Sequence, residues 1–139
     1  MLEIRRRYTG AYGQVSALAR EYGISRGNVR FIVHDYVNGP IENLPEYDLG
    51  WCCEFVEHVE EQYSDNFLET FKRCKVLVMT HAVPGQQGFH HVNCQDSDYW
   101  KFKLMERGYD YQHDISMKLR ELTTAHWVKQ TLMVFVRVV

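Results

Sequence analysis

Three ionisable side chains lie close together at a point where an apolar segment gives way to a predicted helix. Glu54, Glu57 and His58 are spaced i, i+3 and i+4, so on a helix their side chains would share one face. Two carboxylates and an imidazole offer the mixed oxygen and nitrogen donors that suit Mg²⁺, Mn²⁺ or Fe²⁺. Acidic residues in a first turn also stabilise a helix through its dipole, without any ligand. The spacing alone leaves both interpretations open.

The segment around these residues predicts a strand that runs directly into a helix. Residues 49–53 form a short apolar run with the length and bulk of a buried strand. The apolar positions that follow are Phe55, Val59, Tyr63 and Phe67. Their spacing predicts a helix over about residues 54–73. Open α/β sheets build their sites at the carboxyl ends of strands, so this junction is a predicted site.

A second predicted strand, residues 75–80, leads into a loop rich in glycine and histidine that contains His90 and His91. The strand is a continuous apolar run, as expected inside a parallel sheet. The carboxyl ends of parallel strands meet at one edge of the sheet. We therefore expect one of the two loop histidines to lie near Glu57.

The last third of the chain predicts further α/β elements. Asp96 or Ser97 can cap a helix that stops at Gly108. A strand over residues 109–114, a short helix over 115–122 and a closing strand over 131–139 are predicted to follow.

These segments together resemble class I S-adenosylmethionine (SAM)-dependent methyltransferases over about residues 31–139. The resemblance rests on Tyr47-Asp48-Leu49 followed by Glu54-Phe55-Val56-Glu57-His58-Val59, and on Gly108-Tyr109-Asp110-Tyr111 followed by the run from Thr131 to Arg137. It implies that residues 48–53 are the fold's fourth strand and that the chain ends in a closing antiparallel hairpin. The predicted fold class is α/β, a truncated Rossmann-like methyltransferase sheet over residues 34–139. A small helical segment, residues 1–33, precedes it.

The resemblance also implies where SAM would bind. Asp35 follows a β-rich run, residues 31–36, and matches the acidic residue that contacts the adenine amine in such enzymes. Trp51, Cys52 and Glu54 would line the rest of the cofactor pocket. An aspartate at the position of Asp35 can equally be a turn former.

Some methyltransferase subfamilies carry a Glu-x-x-Glu-His motif on the helix after the fourth strand. They include ubiquinone-pathway O-methyltransferases and small-RNA 2′-O-methyltransferases. The resemblance to them implies that Glu54, Glu57, His58 and His91 or His90 hold Mg²⁺ or Mn²⁺, with Glu57 and His58 catalytic. The methyl acceptor would be a small molecule or a nucleic acid. In methyltransferases without a metal, the Glu-His pair only caps and packs the helix.

The N-terminal segment differs in charge from the rest of the chain. Residues 1–33 hold six arginines against Glu3 and Glu21, whereas the remainder is acidic. Residues 14–33 resemble a helix-turn-helix, and the motif-spacing positions are Ala19, Gly23 and Val29. Its second helix would enter the major groove of DNA. The exposed candidates for that contact are Arg26, Asn28 and Arg30.

Two other interpretations of this segment stay open. Residues 1–33 can be plain helical packing for the sheet, or residues 9–13 can be a degraded glycine loop for SAM. Arg5 and Arg7 would occupy glycine positions of that loop, which argues against a working one. An inactive methyltransferase-like scaffold that carries a DNA-binding module is therefore the alternative to an enzyme.

The overall composition predicts a cytoplasmic protein that associates with other copies. No apolar run approaches the roughly 18 residues of a membrane span, and the N-terminus lacks the apolar centre of a signal peptide. Only 47 residues precede the segment that resembles the fourth strand. The strand at residues 48–53 would then present an apolar edge, which a homo-oligomer would cover.

Overall fold

The computed structural model describes residues 32–138. The chain divides into two units, Met1–His34 and Asp35–Val139, and almost all of the described residues belong to the second. The predicted helix-turn-helix, with Arg26, Asn28 and Arg30, lies outside the described residues, as does the alternative glycine loop. No helix in the described part of the chain is long and apolar enough to cross a membrane.

Four strands form one mixed sheet: β1 (Tyr47–Cys52), β2 (Cys74–Met79), β3 (Tyr109–Tyr111) and β4 (Met133–Arg137). Their order across the sheet is β1-β2-β4-β3. The first pair is parallel, with Trp51 opposite Val78, and β4 is antiparallel to both of its neighbours. The α/β class and the closing antiparallel hairpin are thus confirmed.

Four α-helices connect the strands: α1 (Ser64–Phe71), α2 (Ser97–Met105), α3 (His113–Leu122) and α4 (His126–Thr131). Shorter 3₁₀ turns cover Tyr36–Asn38, Val56–His58 and Glu61–Tyr63. Asp96 caps α2 as predicted, because its carboxylate accepts a hydrogen bond from the Tyr99 amide at 2.8 Å. The sequence did not predict α4, which occupies the start of the expected closing strand.

The helix predicted from residue 54 begins only at Ser64, so that prediction was wrong over its first ten residues. Glu54 has a left-handed backbone, with φ of 50°, and Glu60 is extended, with ψ of 142°. Neither conformation continues an α-helix. The apolar spacing survives because Phe55 still packs on Phe67, with ring centroids 5.6 Å apart. Periodicity of apolar residues therefore reported burial correctly and helix geometry incorrectly.

The strand predicted over residues 31–36 is also absent from its described part. Residues 32–35 pair with no strand among those described, and Tyr36 already belongs to a 3₁₀ turn. Ile32 and Val33 are 40% and 92% exposed, so their bulk is not used for packing. A β-rich composition forms a strand only where a neighbour and a packing surface are available.

The sheet is covered on both faces by helices, but unequally. Alternation along β2 sends Leu77 and Met79 to one face and Val78 to the other. The first face packs with α1 and α2 in the larger core, which contains Cys52, Val56, Phe67, Leu68, Leu77, Met79, Trp100, Leu104, Tyr109, Met133 and Phe135. The second face packs in a smaller cluster through Leu119 of α3 and Val128 of α4.

Strand β1 lies at one edge of the sheet that the described residues form. Its side chains Tyr47, Leu49 and Trp51 point to the second face and are 40%, 56% and 43% exposed. The apolar edge expected from the sequence is therefore present in the described residues.

Tyr109 ties the far strand to the loop between α1 and β2. Its hydroxyl lies 2.6 Å from the carbonyl oxygen of Phe71 and 2.5 Å from that of Cys74, both of which can accept its proton. The ring is 2% exposed, and burial raises the pKa of Tyr109, so the hydroxyl remains a donor.

We expect Tyr109→Phe to lower the free energy of unfolding by about 1–3 kcal/mol, because two buried carbonyl groups lose their donor. Urea unfolding would measure the loss. Tyr111→Phe is the matched control, since that half-buried ring packs on Phe135 and should lose little. Equal stability of the two variants would show that the Tyr109 hydroxyl does not stabilise the fold.

Candidate metal centre

The candidate site begins where the chain leaves the carboxyl end of β1. Thr80, just past β2, donates its amide hydrogen to the Cys52 carbonyl at 2.9 Å. Its hydroxyl oxygen accepts the amide hydrogen of Glu54, also at 2.9 Å. Glu54 adopts its left-handed conformation here. These contacts direct the chain out of the sheet and into the Val56–His58 turn, which carries Glu57 and His58.

The loop after β2 is held against that turn by backbone hydrogen bonds. The Glu57 carbonyl oxygen accepts one from Val92 at 2.9 Å and one from Asn93 at 3.2 Å. The buried Asn93 side chain donates to the Ser64 hydroxyl, at the start of α1, at 3.1 Å. The loop histidines are thereby placed beside the turn, as the sequence predicted from the sheet edge.

Three metal-binding side chains meet at this junction: Glu57, His58 and His91. One potential ligand atom from each lies within 4.8 Å of the other two. The two imidazole rings are 5.1 Å apart between centroids and are inclined by 71°. Convergence of these three residues from two separate segments is the main feature of the site.

Glu57 is the unusual member, because its carboxylate is completely buried. Neither carboxylate oxygen has a hydrogen-bond partner among residues 32–138. Burial raises the pKa of Glu57 to about 7, and the nearby negative charge of Glu54 adds to the rise. The backbone amide groups of Glu57 and Phe55 and the charge of His91 offset part of it. A buried carboxylate without a partner is costly, and it is typical of a group that binds something.

Both histidines are held in the same tautomer by backbone carbonyl groups. Nδ1 of His58 lies 3.2 Å from the His90 carbonyl oxygen, and Nδ1 of His91 lies 3.2 Å from that of Gln86. A carbonyl oxygen can only accept, so Nδ1 carries the proton in each neutral ring. Nε2 is then left with a lone pair, which is the form of histidine that binds a metal.

The loop supports His91 through Gln86 and Gly88. Gln86 is fixed by two hydrogen bonds with Val83: its side-chain oxygen accepts at 3.1 Å and its amide donates at 3.0 Å. A Cβ atom added to Gly88 would lie only 2.2 Å from Nε2 of His91. The ring of His91 therefore occupies space that only glycine leaves open. Sequence analysis missed both residues, although the glycine beside the histidine pair was a usable signal.

Glu54, a predicted fourth ligand, lies outside the group of three. Its Oε1 accepts a hydrogen bond from the Thr80 hydroxyl at 3.0 Å. His90, the alternative to His91, supplies its backbone carbonyl to His58. Glu54 thus acts on the site through its charge, and His90 acts through the orientation of a neighbour.

The predicted cofactor residues lie around the same junction. Asp35 accepts a hydrogen bond from the Val37 amide at 3.0 Å, so it has the turn-forming role that the sequence allowed. The adjacent Tyr36 ring contacts Phe55 with centroids 5.9 Å apart, which places this turn beside the end of β1. Trp51 is partly exposed there, whereas the Cys52 side chain belongs to the core.

Two thiols near the site remain neutral. Burial raises the pKa of Cys53 and of Cys94, and in both cases the charge of Glu57 adds to the rise. Metals bind the thiolate, so these cysteines are poor ligands in their present surroundings. The donor set is therefore one carboxylate and two imidazoles.

This donor set fits a divalent metal ion. Two ligand atoms on one ion lie at most about 4 Å apart, because each bond is about 2.0–2.2 Å long. Moving the side chains together by about 1 Å would close the observed separation. A bound cation would also neutralise the buried Glu57 carboxylate, which no other described group does.

Without metal, the stability of the protein should depend on the charge of Glu57. Its pKa is raised from 4.5 to about 7, so folding favours the protonated carboxyl group. That contribution is complete below pH 4.5 and is lost as the pH rises to about 7, with a total of about 3 kcal/mol.

We therefore expect Glu57→Gln to be more stable than the wild type at pH 8 by about 2–3 kcal/mol in the presence of a chelator. At pH 4.5 the two proteins should differ little, because the wild-type side chain is neutral there. Urea unfolding at both values would measure the difference. A difference that does not change with pH would contradict the raised pKa.

No protein-family model matches the sequence, and no curated protein is detectably similar to it. Two solved structures are similar. The pyocyanin biosynthetic protein PhzM has a TM-score of 0.51 and 12% identity, over 94% of this chain and 40% of that one. A structure described as a pericyclic reaction enzyme has a TM-score of 0.47 and 9% identity, over 99% of this chain and 39% of that one.

The chain thus spans about 40% of the length of these proteins. The second likeness is too weak to carry an argument. At 12% identity, the likeness to PhzM concerns the fold alone. Together with the mixed sheet order, it supports a methyltransferase-like α/β fold for this chain.

Proposed function

We propose that this chain is a methyltransferase-like domain of the metal-assisted O-methyltransferase type. Glu57, His58 and His91 hold a divalent ion, and SAM is the methyl donor. The observation that carries the proposal is a buried carboxylate without a hydrogen-bond partner, next to two imidazoles whose tautomer is fixed. The methyltransferase-like fold supports the choice of reaction.

Two imidazoles and one carboxylate favour a transition metal over Mg²⁺. Magnesium prefers oxygen ligands and retains several waters, whereas imidazole suits manganese, iron and zinc. Of the two ions that the resemblance implied, Mn²⁺ is therefore the better match. It is the ion of choice for the binding experiments.

The site residues have separable roles in this proposal. When bound, the ion would supply a Lewis acid that lowers the pKa of an acceptor hydroxyl. Glu57 supplies the negative charge, and its burial keeps water from competing for it. The His90 and Gln86 carbonyl groups keep Nε2 of His58 and His91 unprotonated. Methyl transfer depends mainly on positioning, so few further residues need special chemistry.

The cofactor would lie at the carboxyl ends of β1 and β2, where α/β sheets of this kind bind ligands. Trp51 and Glu54 lie at that end of β1, and the Asp35 turn lies beside it. These positions support the cofactor residues that the resemblance implied. Glu54 and Glu57 would separate the cofactor side from the metal side of the site.

The metal part of the proposal predicts that the wild-type protein binds one Mn²⁺ ion per chain in calorimetric titration. Glu57→Gln, which removes the only charged donor of the three, should weaken binding at least tenfold although it stabilises the metal-free protein. No Mn²⁺ binding by folded wild-type protein would overturn the proposal.

Two glycine variants provide a matched control within the same loop. Gly88→Ala places a methyl group where the His91 ring lies, so it should weaken Mn²⁺ binding by about tenfold or more. Gly85→Ala meets no atom within 4 Å but strains a backbone with φ of 81°. It should reduce stability by about 1 kcal/mol and leave metal affinity unchanged.

The cofactor part is tested by titration with S-adenosylhomocysteine, the demethylated product. We expect binding that weakens when Trp51 is replaced by alanine, because Trp51 offers an exposed ring at the end of β1. Tyr47→Ala is the control at the other end of the same strand. Absence of binding at millimolar ligand would refute SAM use and leave the metal site standing.

A further inference from the structure

Phe89 is the most exposed large apolar side chain in the histidine loop, with 95% of its surface accessible. Val92, on the other side of the histidine pair, is 42% exposed. Single exposed apolar residues are common and need no explanation by themselves. The position of Phe89 relative to the candidate centre is what makes it informative.

The neighbours of Phe89 fix its place. The residue before it, Gly88, lies directly against the His91 ring. The residue after it, His90, presents its carbonyl oxygen to Nδ1 of His58. Consecutive Cα atoms are about 3.8 Å apart, so Phe89 connects two points that each contact a metal-binding histidine. Its ring must therefore stand at the rim of the Glu57, His58 and His91 cluster.

The backbone around Phe89 is held in this arrangement. His90 has a left-handed conformation, with φ of 54°, which is uncommon outside glycine. The hydrogen bonds of Val92 and Asn93 to the Glu57 carbonyl anchor the chain directly afterwards. The loop thus presents an apolar ring to solvent beside polar donors at its base.

We propose that Phe89 is the acceptor-binding platform of this site and that the acceptor is a hydroxylated aromatic ring, such as a phenol or a catechol. The acceptor ring would pack on Phe89, and its hydroxyl would point towards the cluster. This inference rests on the proposed function, because it uses the metal centre as the anchor for the hydroxyl. An aromatic acceptor is favoured over a sugar because ring-to-ring contact adds affinity beyond apolar burial.

The experiment is a calorimetric titration of the Mn²⁺-loaded protein with catechol and with cyclohexane-1,2-diol, its non-aromatic counterpart. We expect Phe89→Ala to weaken catechol binding by about threefold to tenfold, as for loss of one aromatic pair. Phe89→Tyr should restore it. Affinity for the cyclohexane diol should respond less to either change.

Phe102→Ala is the matched control, since Phe102 is an exposed phenylalanine on α2, 54% accessible. It should leave catechol binding unchanged. Mn²⁺ affinity is measured first for every variant and should be the same in all of them. If Mn²⁺ binds normally but Phe89→Ala binds catechol as the wild type does, this inference fails and the proposed function stands. If the wild type binds no Mn²⁺, both fail.

Discussion

The Glu57 carbonyl oxygen accepts two hydrogen bonds, from Val92 and from Asn93, and the site depends on this junction. It joins the turn after β1 to the loop after β2, two segments separated by more than thirty residues of sequence. Without it, His91 would have no fixed position relative to Glu57 and His58. Because the contact uses backbone atoms only, it leaves all three side chains available for a ligand.

The same residue that organises the junction also makes it costly. The Glu57 side chain is buried without a partner, and its raised pKa shows that the fold disfavours its charge. A residue that served only stability would be apolar, or paired, at such a position. Charge without compensation, beside imidazoles of fixed tautomer, is an arrangement that a cation would complete.

The sequence was sufficient for the parts of the site that follow from sheet geometry. Strands β1 and β2, the convergence of a loop histidine on Glu57, and the Asp96 cap all follow from composition and spacing. The helix at residues 54–63 was predicted wrongly because the left-handed Glu54 depends on Thr80, which is distant in sequence. The roles of Gln86 and Gly88 depend on side-chain packing, which spacing does not encode.

The most direct test of the metal centre is a crystal structure of the protein soaked with Mn²⁺, with anomalous data to identify the ion. The account predicts one strong anomalous peak about 2.0–2.3 Å from a carboxylate oxygen of Glu57 and from Nε2 of both His58 and His91. A peak elsewhere, or none at this junction in a well-ordered crystal, would contradict the assignment of these residues as metal ligands.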